Sequence, residues 1–380
     1  MRVIIVGGGI GGLTAAIALR ARGIEAAVFE RAQGAADVGA GISLWPNAMK
    51  ALRKLGVEGL DAIGLANIEG AVRNQSGRVL ARTSARDMES KLGGGMIVFH
   101  RAELVAALTR AASGVPVCFG QELASFECRP DGVIARFQSG ASAAGDVLVG
   151  ADGLRSAVRA SLGTPGKLRY SGYTAWRAVV PFDARRFVPG ETFGQGRRFG
   201  FIPIHGGRVY WYATANTPEG ERDPESGPVD RLLADFGDWH APIPQLIKAS
   251  RSGPVLRNDI YDRDPAPAWG SGRVTLLGDA AHPMTPNLGQ GGCQAIEDGL
   301  ELARSLAAHR DPGDGLRAYE AARIARTGPI VMASRRFGAV GQWTNPVLCW
   351  LRDQALRLTP RSMAVKNLIP IAGYEGHLAD

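Results

Sequence analysis

The first thirty residues constrain the fold of this chain more than any other stretch. The apolar run from Arg2 to Val6 predicts a strand buried on both faces, as in a parallel sheet. Gly7, Gly9 and Gly12 follow it at G-x-G-x-x-G spacing, and residues 13–22 then have a helical pattern. A strand, a glycine turn and a helix in this order predict the first unit of an α/β domain.

The spacing of the glycines has a physical reason. Gly7 permits a tight turn, Gly9 lets the backbone approach a pyrophosphate, and Gly12 lets the helix lie against the strand. The helix N-terminus offers unpaired N–H groups and partial positive charge to phosphates. Glu30 ends the next predicted strand, 26–30, where an acid can accept a hydrogen bond from a ribose hydroxyl. The pattern predicts a dinucleotide site and leaves FAD and NAD(P) open.

Composition sets the broad class of the protein. A chain of 380 residues with 45% hydrophobic and 21% charged residues is long enough for two domains with their own cores. It contains no apolar run of about 18 residues, and the glycine motif uses its N-terminal apolar segment, so we expect neither a membrane span nor a signal peptide. The four cysteines form no C-x-x-C pair. We therefore expect a cytoplasmic protein without disulfides or a metal site.

The formal net charge of +8 allows two interpretations. A nucleic-acid-binding protein would carry such a charge, but the basic residues form no block and few aromatic residues lie among them. A basic surface that attracts anionic small molecules, such as phosphorylated cofactors or carboxylate substrates, fits the pattern better.

The middle of the chain differs in composition from its ends. Residues 169–264 are rich in Tyr, Trp, Phe and Val with period-2 spacing, which predicts an antiparallel sheet in a second domain or a large insertion. A short helix is predicted at 229–236, and the Ala-Pro-Ile-Pro sequence at 241–244 predicts a break.

The α/β pattern then returns. A buried strand is predicted at 273–277, followed by a proline-containing loop and a long helix from 294 to 309. From residue 311 onward the chain is predicted to be mostly helical. Four arginines of this last part are expected on exposed helix faces: Arg323, Arg326, Arg335 and Arg336.

Three separated motifs together resemble the class A flavoprotein monooxygenases, the para-hydroxybenzoate hydroxylase-like family. They are the glycine motif at 7–12 with Glu30, the Asp-Gly pair at 152–153, and Gly-Asp-Ala-Ala-His at 278–282 followed by Gln-Gly-Gly at 290–292. The resemblance covers residues 1 to about 336. Within the family, the sequence after His282 is most similar to the branch that holds salicylate hydroxylases, urate hydroxylase and zeaxanthin epoxidase.

The resemblance implies an α/β (α+β) fold: a Rossmann-like FAD-binding domain with an inserted antiparallel-sheet substrate domain and a C-terminal helical segment. It implies FAD as the cofactor, NAD(P)H as a transient co-substrate and O2 as the oxidant. The expected divisions are an FAD-binding domain at 1–70, 96–165 and 265–340, a substrate domain at 71–95 and 166–264, and helices at 341–380.

The resemblance also assigns cofactor contacts to residues of this chain. The AMP half of FAD is expected to bind Gly7, Gly9, Gly12, Glu30 and Arg31. The phosphate and ribityl parts are expected to contact Ser43, Arg101, Asp152 and Asp279. Independently of the family, backbone N–H groups at a helix start can stabilise negative charge on the pyrimidine edge of a reduced flavin. The residues expected there are Gly289, Gly291 and Gly292.

In this family the substrate lies between the flavin ring and the antiparallel sheet. Alternation places Arg198 and Ile202 on one face of a strand at 197–204, and Tyr210 and Tyr212 on one face of the next strand. Because Arg198 and Tyr210 match positions that the urate-oxidising members of the family use at the site, the resemblance predicts them as catalytic residues. Residues predicted to bind the substrate as walls are Tyr212, Ile202 and Pro286. The alternatives are that the tyrosines belong to the sheet core and that Arg198 is a surface charge.

The resemblance implies an FAD-dependent monooxygenase that hydroxylates a small aromatic or N-heteroaromatic substrate through a flavin C4a-hydroperoxide. Asn287 stands where urate hydroxylase has an acid, so a substrate other than urate is expected. For His282 a structural hydrogen bond is favoured over a role as general base. Alternatives are epoxidation of an isoprenoid alkene, an FAD-dependent reductase or dehydrogenase, and a flavin-binding protein without oxygenase activity.

Overall fold

The computed structural model describes residues 1–34, 40–67, 69–83, 85–164 and 166–378. The strands are β1 Arg2–Val6, β2 Glu25–Glu30, β3 Gly41–Leu44, β4 Gly64–Asn67, β5 Gly70–Asn74, β6 Val79–Thr83, β7 Met96–His100, β8 Val117–Phe119, β9 Leu123–Arg129, β10 Gly132–Phe137, β11 Ser142–Gly145, β12 Val147–Gly150, β13 Arg169–Pro181, β14 Gly190–Phe193, β15 Arg197–Ile204, β16 Arg208–Asn216, β17 Leu256–Asp262 and β18 Val274–Leu276. The helices are α1 Ile10–Ala21, α2 Pro46–Lys54, α3 Leu60–Ile63, α4 Ala85–Leu92, α5 Arg101–Ala111, α6 Ala157–Leu162, α7 Pro228–Phe236, α8 Ile243–Ala249, α9 Gly291–Ala308, α10 Pro312–Gly341, α11 Pro346–Leu358 and α12 Arg361–Ala372.

A five-stranded parallel sheet carries the N-terminal motif. Its strand order is β18-β12-β1-β2-β8, and Ile4 of β1 lies between Leu148 and Ala27 of its neighbours. Every residue of β1 after Arg2 is buried, because the strand is covered on both faces. Helix α1 packs against α9, which brings the start of α9 close to the glycine turn although the two are distant in sequence. The Rossmann-like expectation is confirmed.

The seven-stranded sheet has the order β17-β13-β16-β15-β14-β5-β6 and is antiparallel except where β14 pairs with β5. One face forms a core with α7 and α8 around Trp176, Phe199 and Trp211. The opposite face meets the three-stranded sheet β3-β7-β4, where Tyr210 and Val98 share a small apolar cluster. Strands β5 and β6 thus join a sheet made mainly of later residues. The domain boundaries given above stay a prediction.

Two predicted boundaries are wrong. Helix α8 begins at Ile243, inside the predicted break, because Pro244 occupies its first turn, where a missing N–H costs nothing. Helix α9 begins at Gly291 rather than at 294, so two glycines belong to the helix start. Among the described residues, no helix combines the length and the apolar character needed to cross a bilayer.

The prediction of exposed arginines on the C-terminal helices is wrong for three of the four. Arg336 is exposed, but Arg323 of α10 is 2% exposed, and Arg326 and Arg335 are half-buried. Arg323 lies between α9 and α10 because two carboxylates of α9 face it there. Arginines repeated every few residues along a helix usually indicate a solvent-exposed face. Whether such an arginine is exposed or buried depends on the element that packs against the helix.

Candidate active site

The turn between β1 and α1 requires its glycines for different reasons. Gly7 has φ +112°, and a Cβ on it would lie 2.3 Å from the carbonyl oxygen of Ala151. A Cβ on Gly12 would lie 2.0 Å from the carbonyl oxygen of Gly7. At Gly9, which precedes α1, a Cβ would meet no atom of the described residues within 4 Å, and none of their side chains caps the helix there. The turn therefore leaves open space in front of uncapped N–H groups, the arrangement that suits a phosphate.

Glu30 is held at the end of β2 beside this turn. Its Oε2 accepts a hydrogen bond from the Gly8 N–H at 2.7 Å, and its Oε1 accepts one from the Ala32 N–H at 2.8 Å. Each oxygen keeps a further lone pair, so the carboxylate can also accept from a ribose hydroxyl. Arg31, predicted to contact the AMP half, is exposed.

The start of α9 forms a second uncapped helix N-terminus. A 3₁₀ turn at Pro286–Leu288 leads through Gly289, which has φ +61°, into a first turn with no acid and no capping side chain. Asp279 lies beside it, since a Cβ on Gly291 would be 3.7 Å from Asp279 Oδ1. Surrounding protein atoms desolvate this carboxyl and raise its pKa, although the residue keeps accessible surface, and the charge of Arg101 acts in the opposite direction.

The remaining residues predicted to contact FAD lie on several elements. Ser43 is half-buried on β3, next to Ile42, whose side chain contacts Gly292 of α9. Arg101 begins α5 and is exposed. Asp152 follows β12, and its Oδ2 accepts hydrogen bonds from the N–H groups at the start of α6. Its Oδ1 is buried and has no hydrogen-bond partner within the described part of the chain.

These observations fit an FAD molecule. The open space at Gly9, two uncapped helix N-termini, the carboxylates of Glu30 and Asp279, and the unpartnered Oδ1 of Asp152 are all features that a dinucleotide would use. We call the surface formed by the glycine turn, Glu30, Asp279 and the start of α9 the cofactor cleft.

A buried ionic network lies directly beneath the cofactor cleft. His282 Nε2 donates to Asp298 Oδ2 at 2.6 Å, and the Gly278 N–H donates to the same oxygen at 2.9 Å. Arg323 donates to Asp298 Oδ1 and to Glu297 Oε2, each at 2.6 Å. Burial opposes ionisation of Asp298, but His282 and Arg323 outweigh it and lower the pKa of Asp298 to about 2. The network fixes the loop that carries Asp279, which agrees with the structural role expected for His282.

The same network reaches the other walls of the cleft. Asn47 of α2 donates to Glu297 Oε1 at 2.6 Å and to Gln290 Oε1 at 3.1 Å. Gln290 is the residue immediately before α9, and its Oε1 also accepts from Gln294. Residues from α2, the 278–282 loop, α9 and α10 thus hold one another in place.

The predicted substrate-side residues do share a face of the seven-stranded sheet. Arg198 pairs with Thr214, Gly200 with Tyr212, and Ile202 with Tyr210 across β15 and β16. We call this surface the tyrosine face. The Tyr212 ring covers Gly200, where a Cβ would lie 2.3 Å from the ring, and the Tyr210 ring covers Gly41 of β3 just as closely. Glycines therefore make room for both rings.

Arg198 is not a surface charge, so that alternative is wrong. The residue is 2% exposed, and each guanidinium nitrogen donates to a protein acceptor. Nε donates to Gln342 at 3.1 Å, NH1 to Glu191 at 3.2 Å and NH2 to Asn287 at 2.6 Å. Asn287 precedes the start of α9 and also contacts the Tyr173 hydroxyl, so it joins the tyrosine face directly to the cofactor cleft.

Both tyrosines remain neutral at ordinary pH. Burial raises the pKa of Tyr210 and, together with the charge of Glu191, raises the pKa of Tyr212 well above its usual value. Neutral phenols can donate hydrogen bonds to oxygen or nitrogen atoms of a substrate. Ile202 is half-buried beside them, whereas Pro286 is exposed at the entrance of the turn before α9. The substrate and catalytic roles of these residues stay predictions.

Several residues of the site were not predicted from the sequence. They come from three separate elements, and no local pattern marks their roles: Glu191 from β14, Asp298 from α9, and Arg323 and Gln342 from α10 and its C-terminal end. Arg177 of β13 is different, because its register partner is Tyr212 and the alternation used for β15 and β16 could have placed it on the same face.

Fold and site together define a flavoprotein of the aromatic-hydroxylase class, with a parallel dinucleotide-binding sheet and a second sheet facing the cofactor cleft. The family model described as "FAD binding domain" matches residues 1–334, and the chain belongs to this family. The resemblance found in the sequence is therefore confirmed, as is FAD as the cofactor.

Curated relatives and solved structures of this kind match over almost the whole chain. Aurachin C monooxygenase/isomerase of Stigmatella aurantiaca is 45% identical over 361 residues, 94% of each chain. 3-Amino-4-hydroxybenzoate 2-monooxygenase of Streptomyces cremeus is 38% identical over 371 residues, 94% of this chain and 92% of the relative. The crystal structure of Klebsiella pneumoniae HpxO complexed with FAD and uric acid superposes with a TM-score of 0.92 at 32% sequence identity. The match covers 99% of this chain and 98% of the HpxO chain.

Proposed function

We propose that this protein is an FAD-dependent monooxygenase that uses NAD(P)H and O2 to hydroxylate a small aromatic or N-heteroaromatic substrate. The observation that carries the proposal is the position of Asn287. It lies in the turn before α9 and accepts a hydrogen bond from Arg198 of the tyrosine face at 2.6 Å. A ring bound on the tyrosine face therefore lies next to the start of α9, where the reactive ring of FAD is expected.

When bound, FAD supplies electron transfer from NAD(P)H and the activation of dioxygen. The protein's own task is then binding, orientation and exclusion of water. Glu30 would accept a hydrogen bond from the ribose, Asp279 would hydrogen-bond the ribityl chain, and the N–H groups at the start of α9 would stabilise negative charge nearby. Tyr210 and Tyr212 orient the substrate through neutral hydroxyls, and Ile202 covers it.

The proposal is tested on the purified protein. We expect a yellow protein that retains FAD, and NAD(P)H oxidation with O2 uptake that a substrate accelerates. The compounds to compare are hydroxybenzoates including 3-amino-4-hydroxybenzoate, hydroxylated N-heteroaromatics, aurachin C and uric acid, with NADH and NADPH tried separately. Incorporation of ¹⁸O from ¹⁸O2 into the product establishes monooxygenation. Because Asn287 cannot carry the charge of an acid, we expect little or no acceleration by uric acid.

The outcomes separate the remaining alternatives. A colourless protein that takes up no FAD contradicts FAD binding and therefore the whole proposal. Labelled oxygen found in an epoxide of an alkene, with aromatic compounds inert, favours the epoxidase. Flavin reduction without O2 incorporation favours a reductase or dehydrogenase. A yellow protein whose NAD(P)H oxidation no compound accelerates favours a flavin-binding protein.

We also propose that the protein works in the cytoplasm. All four cysteines are free, and Cys293, the most deeply enclosed, has its pKa raised to about 12 by burial, so it is unreactive. Free thiols are typical of a reducing compartment. Fractionation of cells that produce the protein tests this, and recovery in the membrane pellet would contradict it.

A further inference from the structure

Three arginines on the tyrosine face have different partners. Arg198 pairs with Glu191, and Arg208 donates to Glu103 at 2.7 Å. Arg177 donates from NH1 to the neutral Asn258 Oδ1 at 3.1 Å. Within the described ranges, no carboxylate lies within ion-pair distance of Arg177. Two of these arginines are therefore neutralised by the protein, and Arg177 is not.

Arg177 lies beside the tyrosines predicted to contact the substrate. It is opposite Tyr212 in the register of β13 and β16, and Val179, two residues further along the same face, is opposite Tyr210. The two tyrosine rings are 6.2 Å apart. Burial raises the pKa of Tyr210, while the charge of Arg177 and a hydrogen bond between the two side chains lower it. Arg177 is half-buried, so a ligand can reach a guanidinium that is already partly desolvated.

Arg198 cannot serve in the same way. All three of its nitrogens are used by Gln342, Glu191 and Asn287, and it is 2% exposed. Only three of its five N–H groups donate to these acceptors, but the guanidinium is almost fully buried, and a ligand carboxylate there would meet the negative charge of Glu191. At Arg177 a ligand would displace at most a neutral amide or phenol contact, or would bind without displacing either.

We propose that Arg177, next to Tyr210, determines specificity for substrates that carry an anionic oxygen on the aromatic ring, a carboxylate or an ionised hydroxyl. A guanidinium presents a planar set of donors that matches a carboxylate, and its charge-assisted hydrogen bonds are stronger than neutral ones. The inference rests on the proposed monooxygenase function and names the substrate class for that same site. It assigns the recognition of a charged substrate to Arg177 and not to Arg198.

The test compares ligands that differ only in charge. 4-Hydroxybenzoate and 4-hydroxybenzamide have nearly the same shape, and their Kd values for the FAD-loaded enzyme can be measured from changes in flavin absorbance. A third ligand, 4-nitrophenol in its ionised form, carries a phenolate without a carboxylate. It shows whether the preference is for a carboxylate or for an ionised hydroxyl. We expect the wild-type enzyme to bind the benzoate or the phenolate at least about tenfold more tightly than the amide, about 1.4 kcal/mol.

Variants assign that preference to one residue. Arg177→Gln is expected to raise the Kd of the anion about tenfold or more and to leave the Kd of the amide within about twofold of its wild-type value. Arg177→Lys is expected to retain part of the preference for the anion. Arg208→Gln is the matched control, because it removes an arginine from the same face that already has the Glu103 carboxylate. It is expected to keep the wild-type preference.

The inference is overturned if wild type binds the amide as tightly as both anions, if it binds neither anion, or if Arg177→Gln keeps the wild-type preference. If Arg177→Gln fails to retain FAD, the wild-type ligand ratios and Arg177→Lys decide: a preference that is undiminished in the lysine variant contradicts a planar guanidinium contact. Failure of the proposed function looks different, because then no ligand, charged or neutral, accelerates NAD(P)H oxidation.

Discussion

The floor of the cofactor cleft and the tyrosine face handle charge in opposite ways. Under the cleft, Arg323, Glu297 and Asp298 are almost fully buried, and each is bound by several partners. On the tyrosine face, Arg198 is paired with a carboxylate that keeps 20% of its surface exposed, and Arg177 has only neutral partners among the described residues. In the first region the charges of Arg323, Glu297 and Asp298 are paired with one another, whereas the second region retains donors that a ligand can use.

The difference follows from what each region has to bind. A cofactor that stays bound needs a rigid site, and a buried network whose charges are already paired within the protein can position it at no further cost. A substrate must enter and leave, and an arginine whose charge is already paired within the protein is a weak binding partner for it. The comparison teaches that the number of partners an arginine has separates a structural role from a ligand-binding role better than its location in the site does.

The largest effect on stability is expected from disrupting the buried ionic network beneath the cofactor cleft. Arg323→Gln leaves Glu297 and Asp298 buried without their main cation, and we expect the free energy of unfolding to fall by about 3–5 kcal/mol. Urea denaturation followed by tryptophan fluorescence measures it. Arg336→Gln, an exposed position on the same helix, is the control and should stay within about 0.5 kcal/mol of wild type. Equal losses in the two variants would contradict the structural role of the network.

A pH dependence follows from Asp298. Its pKa in the folded state is about 2, below the value of about 3.9 for an unfolded aspartate. A lowered pKa means that the stabilisation is complete above about pH 4–5 and is lost as the pH falls through about 2, a contribution of about 2–3 kcal/mol. We expect the difference in unfolding free energy between wild type and Asp298→Asn to shrink over this window. A difference that is constant from pH 2 to pH 6 would show that the carboxylate's ionisation does not matter.

A smaller loss is expected at the tyrosine face. Arg198→Gln removes the cation beside Glu191, but that carboxylate can reach water, so we expect a loss of about 1–2 kcal/mol in unfolding free energy. The double variant Arg198→Gln/Glu191→Gln should recover part of it, which a double-mutant cycle measures. If Arg198→Gln is as damaging as Arg323→Gln, the two regions do not differ in the way described.

The smallest effect on the fold, with a clear effect on FAD, is expected at the glycine turn. Gly9→Ala adds a Cβ that meets no atom within 4 Å in the part of the chain that the structure describes, so the FAD-free protein should unfold within about 0.5 kcal/mol of wild type. The same Cβ enters the space expected for the pyrophosphate, and we expect FAD affinity, measured by flavin fluorescence, to fall at least about tenfold.

Gly12→Ala provides the contrast within the same motif. Its Cβ would lie 2.0 Å from the carbonyl oxygen of Gly7, so the fold itself should be destabilised whether or not FAD is present. If Gly9→Ala bound FAD as tightly as wild type does, the pyrophosphate would not lie where the turn indicates.

Local patterns in the sequence predicted the single buried strands of the parallel sheet, the glycine turn, the acid at the end of β2 and the alternation within β15 and within β16. Each depends on residues close together in the chain, where periodicity and steric limits act directly. The family resemblance added FAD, because two further motifs resembled those of flavoproteins.

Only the tertiary structure decided which arginines are structural and which are available. Arg323 and Arg336 lie in similar helical surroundings in the sequence, yet one is enclosed by two carboxylates of α9 and the other faces solvent. Arg198 and Arg177 lie on one sheet face, yet Glu191, Asn287 and Gln342 reach only the first. The free energy of a charge depends on its solvent exposure and on its neighbours in space, and these neighbours come from segments that no sequence period connects.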